Sequence, residues 1–332
     1  MKTKTSKTLL AAALAVVFAT ATGVRADTVS INPDAGGVDP TIQVGSLDWA
    51  TGNAQVVGLA RAPDGTALLG DIFQVYAHST LSAFLGSNGI PIGSLNLNGG
   101  TAATNYEWTF VTGFQEIVTS STPFAATFAV VPGGENFFRI YFDDTPDADP
   151  LTGLGFNDGT LILTASATSG TGDFSRATPV GGGTGGFPNL DGFGNDDYPA
   201  INSITGTGGS RFTGPVTFFN AAFFLTPPTI VSTDFTTQQV LPFGQTNPSA
   251  LFYNLANALA QTAPTVPGAT VGNVGTCNFC TVAEGGTMNA LLQADANQSF
   301  TVAQVVPEPG SLALLGLGLG ALGLFSGIRR KA

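Results

Sequence analysis

The stretch Asn105-Tyr106-Glu107-Trp108-Thr109-Phe110 decides the class of the fold. Tyr106, Trp108 and Phe110 fall on every second residue, with Asn105, Glu107 and Thr109 between them. A period of two puts these sets on opposite faces of a strand, whereas a helix would spread the aromatics around its axis. Residues 71–78 repeat the pattern, setting Phe73, Val75 and Ala77 against Gln74, Tyr76 and His78. Runs at 124–131, 135–142, 160–168, 211–225 and 229–240 read as further strands, broken by Gly, Pro and Asn. Phe218-Phe219 and Phe223-Phe224 interrupt the alternation inside 211–225, which predicts a kink or a strand covered on both faces. The expectation is an all-β domain, an antiparallel β-sandwich or a barrel-like closure.

One segment departs from this pattern. Residues 248–262 carry Leu251, Phe252, Leu255, Ala258 and Leu259 on one helical stripe. Asn247 can cap the segment, Pro248 suits its first turn, and Pro264 stops it. An amphipathic helix packed on a sheet is expected there. The stretch 179–197 holds the run from Gly181 to Gly186 and then Asp191, Asp196 and Asp197. It reads as a long loop, with an internal boundary near 179–199.

Charge is distributed unevenly along the 332 residues. Lys2, Lys4, Lys7 and Arg25 lie near the start, and Arg329, Arg330 and Lys331 near the end. Residues 27–306 retain only Arg61, Arg139, Arg176 and Arg211 against 21 acids, a formal charge of −17. Such a surface repels a phosphate backbone, so nucleic acid is excluded as a partner. Divalent cations or salt-modulated assembly fit it better.

Few residues offer chemistry. Asp143, Asp144, Asp147 and Asp149 crowd one loop and can converge oxygens on Ca²⁺, although the Gly and distal Glu of an EF-hand are missing. Plain solvation of a charged turn is the competing reading. Cys277-Asn278-Phe279-Cys280 lacks the ligands for zinc, since the only histidine is the distant His78. In an exported chain a local disulfide between Cys277 and Cys280 is expected, with a free or redox-active pair as the alternatives. His78 lies in a strand-like run without a Gly-x-Ser-x-Gly, so it reads as a surface or structural histidine. Gly181/Gly183/Gly186 and Gly318/Gly320/Gly323 match the dinucleotide spacing, but neither set opens a helix after a strand. No cofactor and no enzymatic activity are expected.

The two ends carry addresses. Residues 1–26 have a basic start, an apolar stretch over 9–21 and Val24-Arg25-Ala26, the pattern of a signal peptide cut between Ala26 and Asp27. Near the other end come Pro307-Glu308-Pro309, an uncharged apolar run over 311–328, and Arg329-Arg330-Lys331. Eighteen residues of helix span about 27 Å, close to the ~30 Å of a bilayer core, so one transmembrane helix is expected there. The cations behind it stay in the cytoplasm and residues 27–306 lie outside.

This order of Pro-Glu-Pro, apolar helix and arginine cluster resembles the PEP-CTERM sorting signal of Gram-negative bacteria. The resemblance covers residues 307–332. It implies passage through the inner membrane, processing near Pro307, Glu308 and Pro309 by an exosortase-type membrane protease, and delivery to the cell surface or extracellular matrix. Gln293-Ala294-Asp295-Ala296-Asn297-Gln298-Ser299-Phe300 is similar to a segment of the flocculation-associated PepA type, and as local structure it reads as a loop before a final strand at 299–306. Together these imply a floc- or biofilm-forming protein that associates with exopolysaccharide. The alternatives are a Ca²⁺-dependent carbohydrate-binding module and a secreted polysaccharide hydrolase.

Overall fold

Alternation of this kind yields twelve strands in the computed structural model, which describes residues 28–60, 62, 66–99, 104–134, 136–148, 155–176, 206–239 and 287–302. They are β1 (Val29–Ile31), β2 (Ile42–Val44), β3 (Ser46–Ala60), β4 (Ile72–Leu85), β5 (Glu107–Ser121) and β6 (Ala125–Val130). Then come β7 (Phe137–Asp143), β8 (Thr160–Ala165), β9 (Ser169–Arg176), β10 (Gly206–Phe219), β11 (Pro228–Gln239) and β12 (Thr287–Val302). No described residue is helical. The expected helices at 248–262 and 311–328, Cys277 and Cys280, the signal cleavage at Ala26 and Asp27, and Asp149 all lie outside the described residues. So does the glycine-rich stretch at 179–197, and the strands flanking it, β9 and β10, pair with each other.

The sheet closes on itself. The first half of β5 pairs with β7 and its second half with β6. β6 and β7 therefore run end to end as one long stave beside β5. In the same way β10 pairs with β9 over its first half and with β8 over its last residues. β6 pairs with β9 and β7 with β8, so β8 and β9 form a second composite stave. β10, β11, β12, β3, β4 and β5 then follow as neighbours around the ring. The result is an antiparallel up-and-down barrel of eight staves. Of the two architectures left open by the sequence, the hydrogen bonding makes the barrel.

Alternate residues of every stave fill the interior. Trp108, Phe110 and Phe114 of β5 point inward and are buried. They meet Phe84, Phe138, Phe212, Phe235 and Trp49 in edge-on, tilted and stacked ring contacts, such as Trp49–Phe110 at 4.8 Å and Phe84–Trp108 at 5.0 Å between centroids. Aromatic pairs in such geometries add about 0.5–1.5 kcal/mol each beyond the area they bury. The outer face of β10–β12 carries Arg211, Ser232, Asp234, Thr236, Asp295 and Asn297, and Arg211 forms an ion pair with Asp234 there. That face suits water and is the reverse of a lipid-facing barrel wall.

One end of the barrel is plugged. β1 and β2 pair as a separate ribbon, and Ile31 bridges to Phe224. The Trp108 indole donates to the Pro33 carbonyl at 2.8 Å. Buried Asp39 accepts from the Tyr106 hydroxyl at 2.8 Å, the Asn96 backbone N–H at 2.8 Å and the Asn96 amide at 2.6 Å. Burial, with the Asp39 carboxylate second, holds the Tyr106 phenol well above its ordinary range.

Two local expectations need correction. The run 211–225 is not one strand: β10 ends at Phe219 after a bulge between Val216 and Phe218, and Asn220 begins a turn. That turn frees Phe223 and Phe224 to cap the aromatic core. Nor is the segment from Gln293 to Phe300 a loop. It is the middle of β12, with Ala294, Ala296, Gln298 and Phe300 buried and Asp295, Asn297 and Ser299 exposed. Its residues are poor strand formers singly, and pairing on both sides, to β11 and β3, overrides that preference.

Candidate functional site

At the end away from the plug the interior is not filled. The large inward side chains of the plugged half give way to Ala54, Ala77, Ala294, Gly172 and Ser210, which leave a cavity of about 90 Å³. Phe114 and Phe235 form its floor, and Phe73, Val75, Phe128 and Phe174 line its walls. One carboxyl, Glu116, stands in this apolar wall.

The strand alternation puts Glu116 there. It lies two residues past Phe114 on the inward face of β5 and is 2 % exposed. The Ser210 hydroxyl donates to Glu116 Oε1 at 3.0 Å. Gly172, opposite Ser210 in the β9–β10 register, makes room for both. A Cβ there would lie 2.6 Å from Ser210 Oγ and 2.7 Å from Glu116 Oε1. Burial pushes the Glu116 carboxyl up to about 7, and the Ser210 bond opposes that in part. Among the described residues the one ion pair is Arg211–Asp234 on the outer surface, so no cation pairs with Glu116.

The acidic loop lies at the opposite, plugged end. Asp143 ends β7 and accepts from the Thr145 N–H at 2.8 Å. Glu107, the first residue of β5, accepts from the Asp147 and Ala148 N–H groups, both at 2.9 Å, and so pins the loop to the barrel. Carboxyl oxygens of Asp143, Asp147 and Asp158 lie within 4.8 Å of one another. Two of the four residues expected as Ca²⁺ ligands are thus brought together. Asp144 is outside this group, its carboxylate 3.3 Å from the Thr145 hydroxyl that donates to it. Asp158 takes its place, delivered from the far side of the β7–β8 connection. Burial raises the Asp147 carboxyl, and the charges of Asp158 and then Asp143 raise it further. Glu107 is raised as well, mainly by burial, against its two N–H bonds. Three hard oxygen donors at this spacing can hold a divalent cation, which would relieve their repulsion.

His78 is structural and buried, not on the surface. It is 1 % exposed on the outer face of β4, with its ring 3.9 Å from that of Phe156. Burial lowers it to about 3, so it is neutral at ordinary pH.

The tail supplies the identification. Its order of Pro307-Glu308-Pro309, apolar run and Arg329-Arg330-Lys331 is that of a sorting signal. Residues 305–331 match the PEP-CTERM protein-sorting motif. A PEP-CTERM motif marks an exported protein sorted through exosortase to the envelope or surface of a Gram-negative bacterium. The match covers the tail alone and does not reach 293–300, on which the likeness to the PepA type rests. No curated protein and no solved structure matches the chain. Among the described residues no helix is long and apolar enough to cross a membrane.

Proposed function

We propose that this PEP-CTERM chain is a non-enzymatic cell-surface or extracellular-matrix protein that contributes to floc or biofilm formation with exopolysaccharide. The observation that carries the reading is the sorting motif at 305–331 on a chain whose 27–306 span has a formal charge of −17. The barrel supports it. Its outer face over β10–β12 is polar, rich in hydroxyls, amides and carboxylates, and suits hydrated polymer and the cations that bridge it. The leader carries the chain through the inner membrane, the tail holds it until exosortase acts near Pro307-Glu308-Pro309, and the acidic barrel then joins the matrix. Deletion of residues 307–332 in the host tests this. Surface display and cell aggregation should both fall, and wild-type levels of both would overturn the reading.

The convergence of Asp143, Asp147 and Asp158 favours a second reading, a Ca²⁺-dependent carbohydrate-binding module. Added Ca²⁺ should then raise the melting temperature of the full chain, and Asp158→Asn should abolish the rise. A melting temperature indifferent to Ca²⁺ would remove this reading and leave the first intact.

A further inference from the structure

We propose that the cavity at the unplugged end of the barrel binds a small, mainly apolar molecule bearing one hydrogen-bond donor, held by the Glu116 carboxyl.

Four observations lead there. An eight-stranded barrel is just wide enough either to be packed solid by side chains or to hold one small ligand. This barrel does both, one at each end. Its plugged half is filled by Trp49, Trp108 and Phe110, whereas in its other half Ala54, Ala77 and Ala294 leave space between the larger side chains.

Second, the space suits an organic molecule better than water. A cavity of about 90 Å³ has room for several waters, and each would need two to four polar partners. The side chains around it are overwhelmingly apolar, with Glu116, Ser210 and Thr237 as the inward polar groups. Apolar cavities of comparable size stay dry and take up small hydrocarbons.

Third, the polar anchor has a definite sense. The Ser210 hydroxyl has spent its one hydrogen on Glu116 Oε1. With the carboxyl ionised, what the pair presents to the cavity is acceptor capacity, and this selects a donor such as a hydroxyl or amine.

Fourth, the surroundings fit an apolar guest. Leu68 and Leu69 in the β3–β4 connection, Ile72 at the start of β4 and Phe124 in the β5–β6 turn are exposed at this same end. Thr28 and Val302 leave the barrel at the plugged end, so the sorting tail departs from the side opposite the cavity.

The probes are phenol and toluene, which share a shape and differ in the donor. Equilibrium dialysis of each is run against the full chain held in amphipol. Ala77→Leu, which fills the cavity without touching the carboxyl, serves as the blank for partition into amphipol. Circular dichroism confirms that it is folded. The expected result is saturable phenol uptake by the parent, at least tenfold tighter than that of toluene, and none by the blank. Glu116→Leu should erase the preference for phenol. Equal affinity for the two probes, a preference that survives Glu116→Leu, or no saturable uptake of phenol each overturns the proposal.

Discussion

Replacing Glu116 by Gln should stabilise this protein, and only at neutral to alkaline pH. The carboxyl ionises near 4.5 when unfolded and near 7 in the barrel. Its folded pKa is raised, so the native state holds the proton more tightly than the unfolded chain does. Stability is therefore highest below pH 4.5 and falls as pH rises toward 7, where the penalty of a buried charge is complete. Moving from 4.5 to about 7 corresponds to roughly 3 kcal/mol, since a tenfold change in proton affinity is worth about 1.36 kcal/mol. Gln keeps the shape and the bond from Ser210 but carries no charge. At pH 8 the variant should exceed the parent by about 3 kcal/mol, or roughly 6–12 °C in melting temperature for a domain of this size. At pH 4.5 the two should coincide. The assay is thermal unfolding of the full chain across pH 4.5–8, followed by circular dichroism. Taking the difference between variant and parent cancels every other titrating group that does not touch Glu116. A difference independent of pH, or a variant less stable at pH 8, would refute the claim that the carboxyl is buried without a cation.

Other perturbations follow from the same geometry. His78 has its folded pKa lowered from 6.5 to about 3, so its contribution is complete above pH 6.5 and is lost as pH falls below it. Measured as the difference from His78→Phe, which cancels the other titrating groups, the melting temperature of the parent should lose ground as pH falls from 6.5 to 4. Asp39→Ala strips the acceptor from Tyr106 and from both Asn96 donors and should destabilise the protein by about 2–4 kcal/mol in urea unfolding. Gly172→Val places methyl groups where even a Cβ lies 2.6 Å from Ser210 Oγ, and should lower stability by about 1–3 kcal/mol through overpacking.

The alternation in β5 was legible, and it made the fold class legible with it. Tyr106, Trp108 and Phe110 lie inside the barrel as their spacing predicts. Carried six residues further, through Thr112 and Phe114, the same period reaches Glu116 and marks a carboxyl on the apolar face. That carboxyl on an apolar face is the signal for the cavity that the sequence carries. β9 and the middle of β12 give only a weak hydrophobic pulse, because Gly170, Gly172, Ala294 and Ala296 take inward positions there. Ring closure is a pairing of Ser46 with Ser299, and no local pattern encodes it. In the acidic loop, Asp143 and Asp147 are close in sequence, whereas Asp158 is a neighbour only in space. Asp158 reaches Asp143 and Asp147 only because β7 and β8 fold back on each other.

Closure by β12 bears on the order of events during export. Counted as staves, every other neighbour in the ring is also a neighbour along the chain, so those ladders can close over short stretches of chain. β3 must wait for the last strand, which comes after residues 240–286. Until Thr287–Val302 arrives, β3 and β11 each present a bare edge to any other strand nearby. Val302 lies three residues before the sorting motif begins at 305, so the barrel completes itself only as that motif arrives. A cut near Pro307-Glu308-Pro309 releases a sealed ring. A cut or stop before Thr287 would release a chain with two adhesive edges.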